Sequence, residues 1–127
     1  MANLPADLGY TPEHEWVKLG PDLTARVGIT DHATAALGDI VFVSLPSVGE
    51  AFKINDPVAE LESTKSVSGV FSPLSGVVSQ VNQALTEAPE TINADPYGAG
   101  WLFELDILDQ SELTSLLDAS GYAALLA

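Results

Sequence analysis

The chain has 127 residues, with 18 acidic against 4 basic side chains, a formal net charge of -14, 46% hydrophobic residues and no cysteine. That length suits one domain with a proper core, so a single domain over residues 1–127 is expected. Such an acidic surface repels phosphate backbones and anionic lipid, and a chain without cysteine has neither disulfides nor thiolate chemistry. Nucleic acid and membrane are therefore excluded as partners.

No apolar run approaches the roughly 20 residues of a membrane span. The start "MANLPADLGYTPEHEW" has no basic n-region or apolar h-region. The expectation is a soluble, unprocessed monomer of the bacterial cytoplasm, or of an organellar matrix for a trimmed chain.

The first elements are "EWVKLG" and "TARVGI", short β-rich runs separated by the turn signal "GPD", which predict a hairpin. "TDHATAALG" predicts a helix of about two turns, with Thr30 or Asp31 as N-cap and Gly38 past its end. "DIVFVSLP" is a β-branched strand stopped by Pro46, and "PSVGEAF" turns into another strand.

"PVAELES" and "VSGVFSP" follow as two strands around a turn at 63–66, with Lys65 projecting from the tip. The expected inward row is Ala59, Leu61, Val67 and Phe71, and the outward row is Glu60, Glu62, Ser66 and Ser68. After "SPLSG" comes the strand "VVSQVN", then the irregular "TEAPETINADPYGAG" and a last strand in "WLFELDIL". "DQSELTSLLDASGYAALL" predicts a C-terminal helix using Leu113, Leu116 and Leu117, with Asp109 or Ser111 as cap and Gly121 as a break. About seven short strands with regular turns point to a sandwich or flattened barrel edged by small helices.

The chain contains no GxGxxG, GxxxxGK[ST], GxSxG or HExxH motif. His14 in "PEHEW" reads as a histidine satisfied near a strand start. His32 in "TDHA" is either a first-turn helix residue or part of a site. A small acidic enzyme would have to use these histidines with nearby carboxylates. The pairs Glu13/Glu15 and Glu60/Glu62 have i,i+2 spacing, which on strands makes solvated polar rows rather than acid/base pairs.

Lys65 lies near Glu60 and Glu62, which favour its charged form, so it is a poor Schiff-base lysine. Its small neighbours leave the amine open to acylation by another enzyme. An edge-blunting surface charge is the equal alternative.

At these residues the chain resembles the lipoyl-carrier proteins, and specifically the glycine cleavage H-protein family. The pattern is "ESTKS" at a hairpin tip, with Gly49 sixteen residues before Lys65 and Gly76 eleven after it. More specific segments are "YTPEHEWV", "VGITDHA", "LGDIVFVSLPSVG", "VSGVFSPLSGVV", "INADPYGAGWL" and "ELTSLLDASGY", in order along nearly the whole chain. Biotinyl carriers, by contrast, place methionines beside the lysine, where this chain has Thr64 and Ser66. A lipoyl domain of another multienzyme complex is the remaining relative.

The resemblance implies a mainly β barrel-sandwich hybrid fold with lipoic acid amide-linked to Lys65. It implies a carrier rather than an enzyme. Its lipoyl group would accept the aminomethyl group from a pyridoxal-phosphate glycine decarboxylase and hand it to a tetrahydrofolate-dependent aminomethyltransferase. Dihydrolipoyl dehydrogenase would reoxidise the dithiol, and lipoylating enzymes would install the group. The resemblance also implies a surface cleft that shelters the loaded arm, with Glu15 and His32 among its residues. Family members commonly carry an acidic residue where this chain has Gly69, and Glu13 is the substitute expected to supply that charge. Thr64 stands where valine is common.

Overall fold

The computed structural model describes residues 4–126. The expected 1–127 domain therefore includes four positions, 1–3 and 127, outside the described residues. Among the described residues, nine strands and three α-helices follow one another. They are β1 (Gly9–Tyr10), β2 (Glu15–Leu19), β3 (Thr24–Ile29), α1 (Asp31–Leu37), β4 (Ile40–Ser44), β5 (Ala51–Phe52), β6 (Pro57–Ser63), β7 (Val67–Phe71), β8 (Gly76–Val81), α2 (Thr91–Ala94), β9 (Phe103–Ile107) and α3 (Ala119–Leu126). The strand expected at the end of "PSVGEAF" is the two-residue β5, and the strand not expected is β1, whose two residues are too short to leave a periodic signal. Among the described residues no helix is long and apolar enough to cross a membrane.

The strands form two sheets, one ordered β1-β2-β3-β9-β8-β5 and the other β4-β6-β7. Every ladder is antiparallel. The core between them is apolar, with Val27, Ile40, Leu61, Val70, Leu85, Ile92 and Phe103 each almost wholly buried. This is the barrel-sandwich hybrid, mainly β with short helices.

The β2–β3 hairpin forms as expected, turning through Asp22 and Leu23, both in the left-handed region (φ 57° and 59°). Gly28 on β3 faces Trp16 on β2, and a methyl group at Gly28 would lie 2.5 Å from the indole. The α1 ends are also as expected. Thr30 is the N-cap, its hydroxyl accepting the Ala33 N–H, and Gly38 takes φ 80° just past Leu37. Of the two motif glycines, Gly49 takes φ 96° in the turn before β5. Gly76 lies so close to the β9 backbone that a methyl group would stand 2.7 Å from the Asp106 carbonyl oxygen.

Two expectations are corrected. Val67 is 58% exposed and Val70 is buried, so the inward row on β7 is Ser68 and Val70, not Val67 and Phe71. The register pairs Glu62 with Val67, Leu61 with Ser68 and Ala59 with Val70. A tip of two residues, Thr64 and Lys65, matches odd positions of β6 to even ones of β7, and a slip of one residue swaps faces.

The C-terminal helix is the second correction. Asp109 caps a 3₁₀ segment, Gln110–Ser115, by accepting the Ser111 N–H. Leu117 then exchanges both backbone hydrogen bonds with Tyr10, which interrupts any helix there. The α-helix begins only at Ala119, with the Asp118 side chain accepting the Gly121 N–H, so Gly121 lies inside the helix rather than breaking it.

Candidate functional site: a lysine-tipped hairpin and its cleft

Lys65 is exposed at the tip of the β6–β7 hairpin. The turn is fixed by Ser63. Its N–H donates to the Ser66 carbonyl (2.8 Å), and its hydroxyl accepts the N–H groups of Lys65 (3.2 Å) and Ser66 (3.1 Å). Thr64 N–H donates to the Asp39 carbonyl (3.1 Å), tying the tip to the chain leaving α1. The lysine side chain passes over Gly38, where a methyl group would stand 3.1 Å from its Cε. Glycine there serves both the left-handed backbone and this close approach.

Between α1 and β7 lies a cleft of about 140 Å³. Ile29, Ala33, Leu37, Leu61 and Val70 give it apolar walls, Ser68 and Gly69 line it from β7, and Glu13, His14 and Glu15 sit together in its lining. A larger depression of about 390 Å³ surrounds Lys18, Pro21 and Arg26 on the far sheet. Its size does not make it the site, because Arg26 is already paired with Glu104 (2.6 Å) and stacked on Trp101.

The polar group of the cleft overturns the expected solvated row of Glu13 and Glu15. Glu13 is exposed, but Glu15 is only 2% exposed. His14 between them takes φ 71°, a left-handed conformation costing about 1–3 kcal/mol for a residue other than glycine. That turn breaks strand alternation, and Glu15 enters β2 facing inward.

Its carboxylate accepts the Thr11 hydroxyl (2.6 Å) and the Phe71 N–H (3.2 Å). Burial pushes its pKa up to about 7, against the opposing pull of those two hydrogen bonds. The site thus holds a carboxyl poised near neutrality beside an exposed one.

His14 Nδ1 lies 2.6 Å from the Tyr122 hydroxyl, which lies 2.9 Å from the Thr30 hydroxyl. Burial and the neighbouring His32 both lower the pKa of His14. His32 is not part of the cavity lining, and its ring sits 4.8 Å from that of His14. Among the described residues no three His, Asp or Glu side chains cluster as metal ligands.

The site therefore unites Glu13, His14 and Glu15, keeps His32 behind His14, and leaves Lys65 at the other end of β7. Tyr122 was not singled out from the sequence. It reaches His14 across 108 residues, and no local pattern signals that meeting.

The cleft has apolar walls and two carboxylates in its lining, and its Leu37 side adjoins the Gly38 over which the Lys65 side chain passes, an arrangement that suits an apolar chain with a cationic end. The chemistry of the lining therefore fits an arm attached at Lys65. The family model described as "Glycine cleavage H-protein" matches residues 8–127. The glycine cleavage system H protein of Escherichia coli O7:K1 (strain IAI39 / ExPEC) is 49% identical over 126 residues, covering 99% of this chain and 98% of its own. That of Mycobacterium tuberculosis (strain ATCC 25618 / H37Rv) is 49% identical over 132 residues with the same coverage. The crystal structure of a glycine cleavage system H protein from Mycobacterium marinum superposes with a TM-score of 0.86 at 44% identity, covering 95% of this chain and 97% of that one. Matched over almost its full length in sequence and in fold, the chain belongs to the glycine cleavage H-protein family.

Proposed function

We propose that this protein is the lipoyl-bearing shuttle of the glycine cleavage system, with Lys65 as the attachment point. It is a carrier and not itself an enzyme. The observation that carries the assignment of Lys65 is its place on an exposed, hydrogen-bonded two-residue tip, with its side chain passing over Gly38 beside a cleft that holds a buried carboxyl. When bound, lipoate supplies a redox-active disulfide able to take up a one-carbon amine unit.

The protein's own residues do the rest. Ser63 and Asp39 hold the tip so that a lipoylating enzyme meets one fixed amine. Of the other lysines, Lys18 lies on β2 and Lys53 opens the turn from β5 to β6, its N–H donating to the Asp56 side chain. A lysyl-lipoyl arm spans roughly 14 Å when extended, and tethering raises the group's effective concentration at a docked active site to about millimolar. The proposed partners are the pyridoxal-phosphate glycine decarboxylase, the tetrahydrofolate-dependent aminomethyltransferase and dihydrolipoyl dehydrogenase.

Between visits the cleft excludes water from the loaded arm. Glu15 faces its amine, Glu13 provides the second negative charge in place of the residue absent at Gly69, and His32 backs His14. Charge pairing inside a dry trough strengthens each of these contacts.

Intact-mass measurement on protein made with lipoate available tests the attachment. A lipoyl-sized increment mapping to Lys65 and lost in Lys65→Arg is expected. An increment on Lys18 or Lys53, or none under conditions that modify a control carrier, overturns it.

A further inference from the structure

Tyr122 is the only buried side chain of α3 among the described residues, and its ring stacks on Tyr10 at 4.9 Å. Its hydroxyl joins three distant parts of the chain, and counting protons fixes the direction of each bond. The buried Thr30 hydroxyl already accepts the Ala33 N–H (3.3 Å), and among the described residues its one other partner is the Tyr122 oxygen (2.9 Å). The Thr30 proton therefore goes to Tyr122. Tyr122 then has one acceptor left for its own proton, His14 Nδ1 at 2.6 Å.

A ring nitrogen that accepts carries no proton, so His14 is neutral with its proton on Nε2. The reverse order would strand the Thr30 proton in the interior without an acceptor, which is costly. The other titratable groups around this chain are Glu13, Glu15, His32, Tyr10 and Tyr97. Of these, His32 acts with burial to keep His14 neutral, and Glu13 acts against them.

We propose that Tyr122 is a positioning residue for the cleft. Its hydroxyl holds His14 as the Nε2–H tautomer and anchors the left-handed turn that sets Glu15 inward. By taking the Thr30 proton it also secures the N-cap of α1, the cleft's opposite wall. The C-terminal helix thereby becomes a brace for both walls of a cleft it does not line. This deepens the carrier reading and rests on it.

The test uses the full chain labelled with ¹⁵N, read at the imidazole nitrogens of His14 before and after lipoylation. In the wild type Nδ1 is expected to be pyridine-like and hydrogen-bonded, with Nε2 pyrrole-like. Tyr122→Phe keeps the ring and deletes the donor. Its His14 nitrogens are expected to move to tautomer-averaged shifts, with the titration midpoint rising because the bond that favours the neutral ring is gone. The loaded carrier is expected to decay about fivefold faster, the effect of one neutral hydrogen bond. Thr30→Ser retains the proton and is expected to match the wild type on every readout.

A wild-type His14 protonated at Nδ1 overturns the proposal without any variant. So does a Tyr122→Phe protein whose tautomer changes while the loaded carrier decays at the wild-type rate. Absence of sheltering in the wild type itself overturns the carrier reading instead, and the nitrogen shifts still decide the direction of the hydrogen bonds.

Discussion

Glu15 makes the stability of this protein depend on pH in a direction opposite to most carboxylates. Its carboxyl is 2% exposed, and burial raises it from the usual 4.5 to about 7. Below 4.5 the group is protonated in both folded and unfolded chains, and its full contribution to stability is present. Between 4.5 and 7 the unfolded chain ionises while the folded one resists, so stability is lost as pH rises. Above 7 the loss is complete. At ~1.4 kcal/mol per pH unit that interval amounts to about 3 kcal/mol.

Glu15→Gln removes the ionisation. It also removes one of the two acceptors, used by the Thr11 hydroxyl and the Phe71 N–H, at a cost of ~1–3 kcal/mol that does not vary with pH. The variant is therefore expected to be less stable than the wild type at pH 4.5. By pH 8 the difference should have shifted in its favour by about 3 kcal/mol. Urea unfolding followed by tryptophan fluorescence at several pH values measures this, since Trp16 is wholly buried and Trp101 is partly so. Taking the difference between the two proteins cancels the titration of the other acidic residues. A difference that stays flat from pH 4.5 to 8 would refute the reasoning, because it would mean that the folded protein ionises Glu15 as readily as water does. A carboxyl maintained at such a cost is what a site awaiting a cation requires, since a cation set against it offsets the burial.

Gly69→Asp is expected to change stability by less than about 0.5 kcal/mol, because a side chain there meets only the edge of Phe71, at 3.4 Å. The added charge should lengthen the lifetime of the loaded carrier, read as the rate of release of its one-carbon unit. Glu13→Gln should shorten that lifetime, and an unchanged rate removes Glu13 from the site. Gly28→Ala drives a methyl group to 2.5 Å from the buried Trp16 indole, whose N–H is held by the Pro96 carbonyl (2.9 Å). The expected loss is ~1–3 kcal/mol in urea unfolding, and wild-type stability would show that the β2–β3 pair can open to accept it.

The hairpin tip was legible because its signals are local. Small hydroxyl residues around Lys65 and acidic positions on β6 act within a few residues or along one ladder, whereas Gly49 and Gly76 lie in or beside the other sheet and entered through the family resemblance. The α1 caps were legible for the same reason, since Thr30 and Gly38 satisfy groups one turn away. The face of β7 was not, because it depends on whether the tip holds two residues or three, and the Ser63–Ser66 bonds decide that.

The buried state of Glu15 lay further out of reach. Its i,i+2 spacing from Glu13 implies a shared face, and only the left-handed His14, held to Tyr122 across 108 residues, breaks that rule. One of its two hydrogen bonds comes from Phe71, 56 residues away.

Local pattern thus determined most of the strands, the ends of α1 and the exposed lysine, because short-range sterics and turn chemistry set them. Tertiary structure alone decided which carboxyl became acidic near neutrality, which histidine tautomer faces it and what braces the cleft. Desolvation and long-range hydrogen bonds exist only once distant segments have packed together.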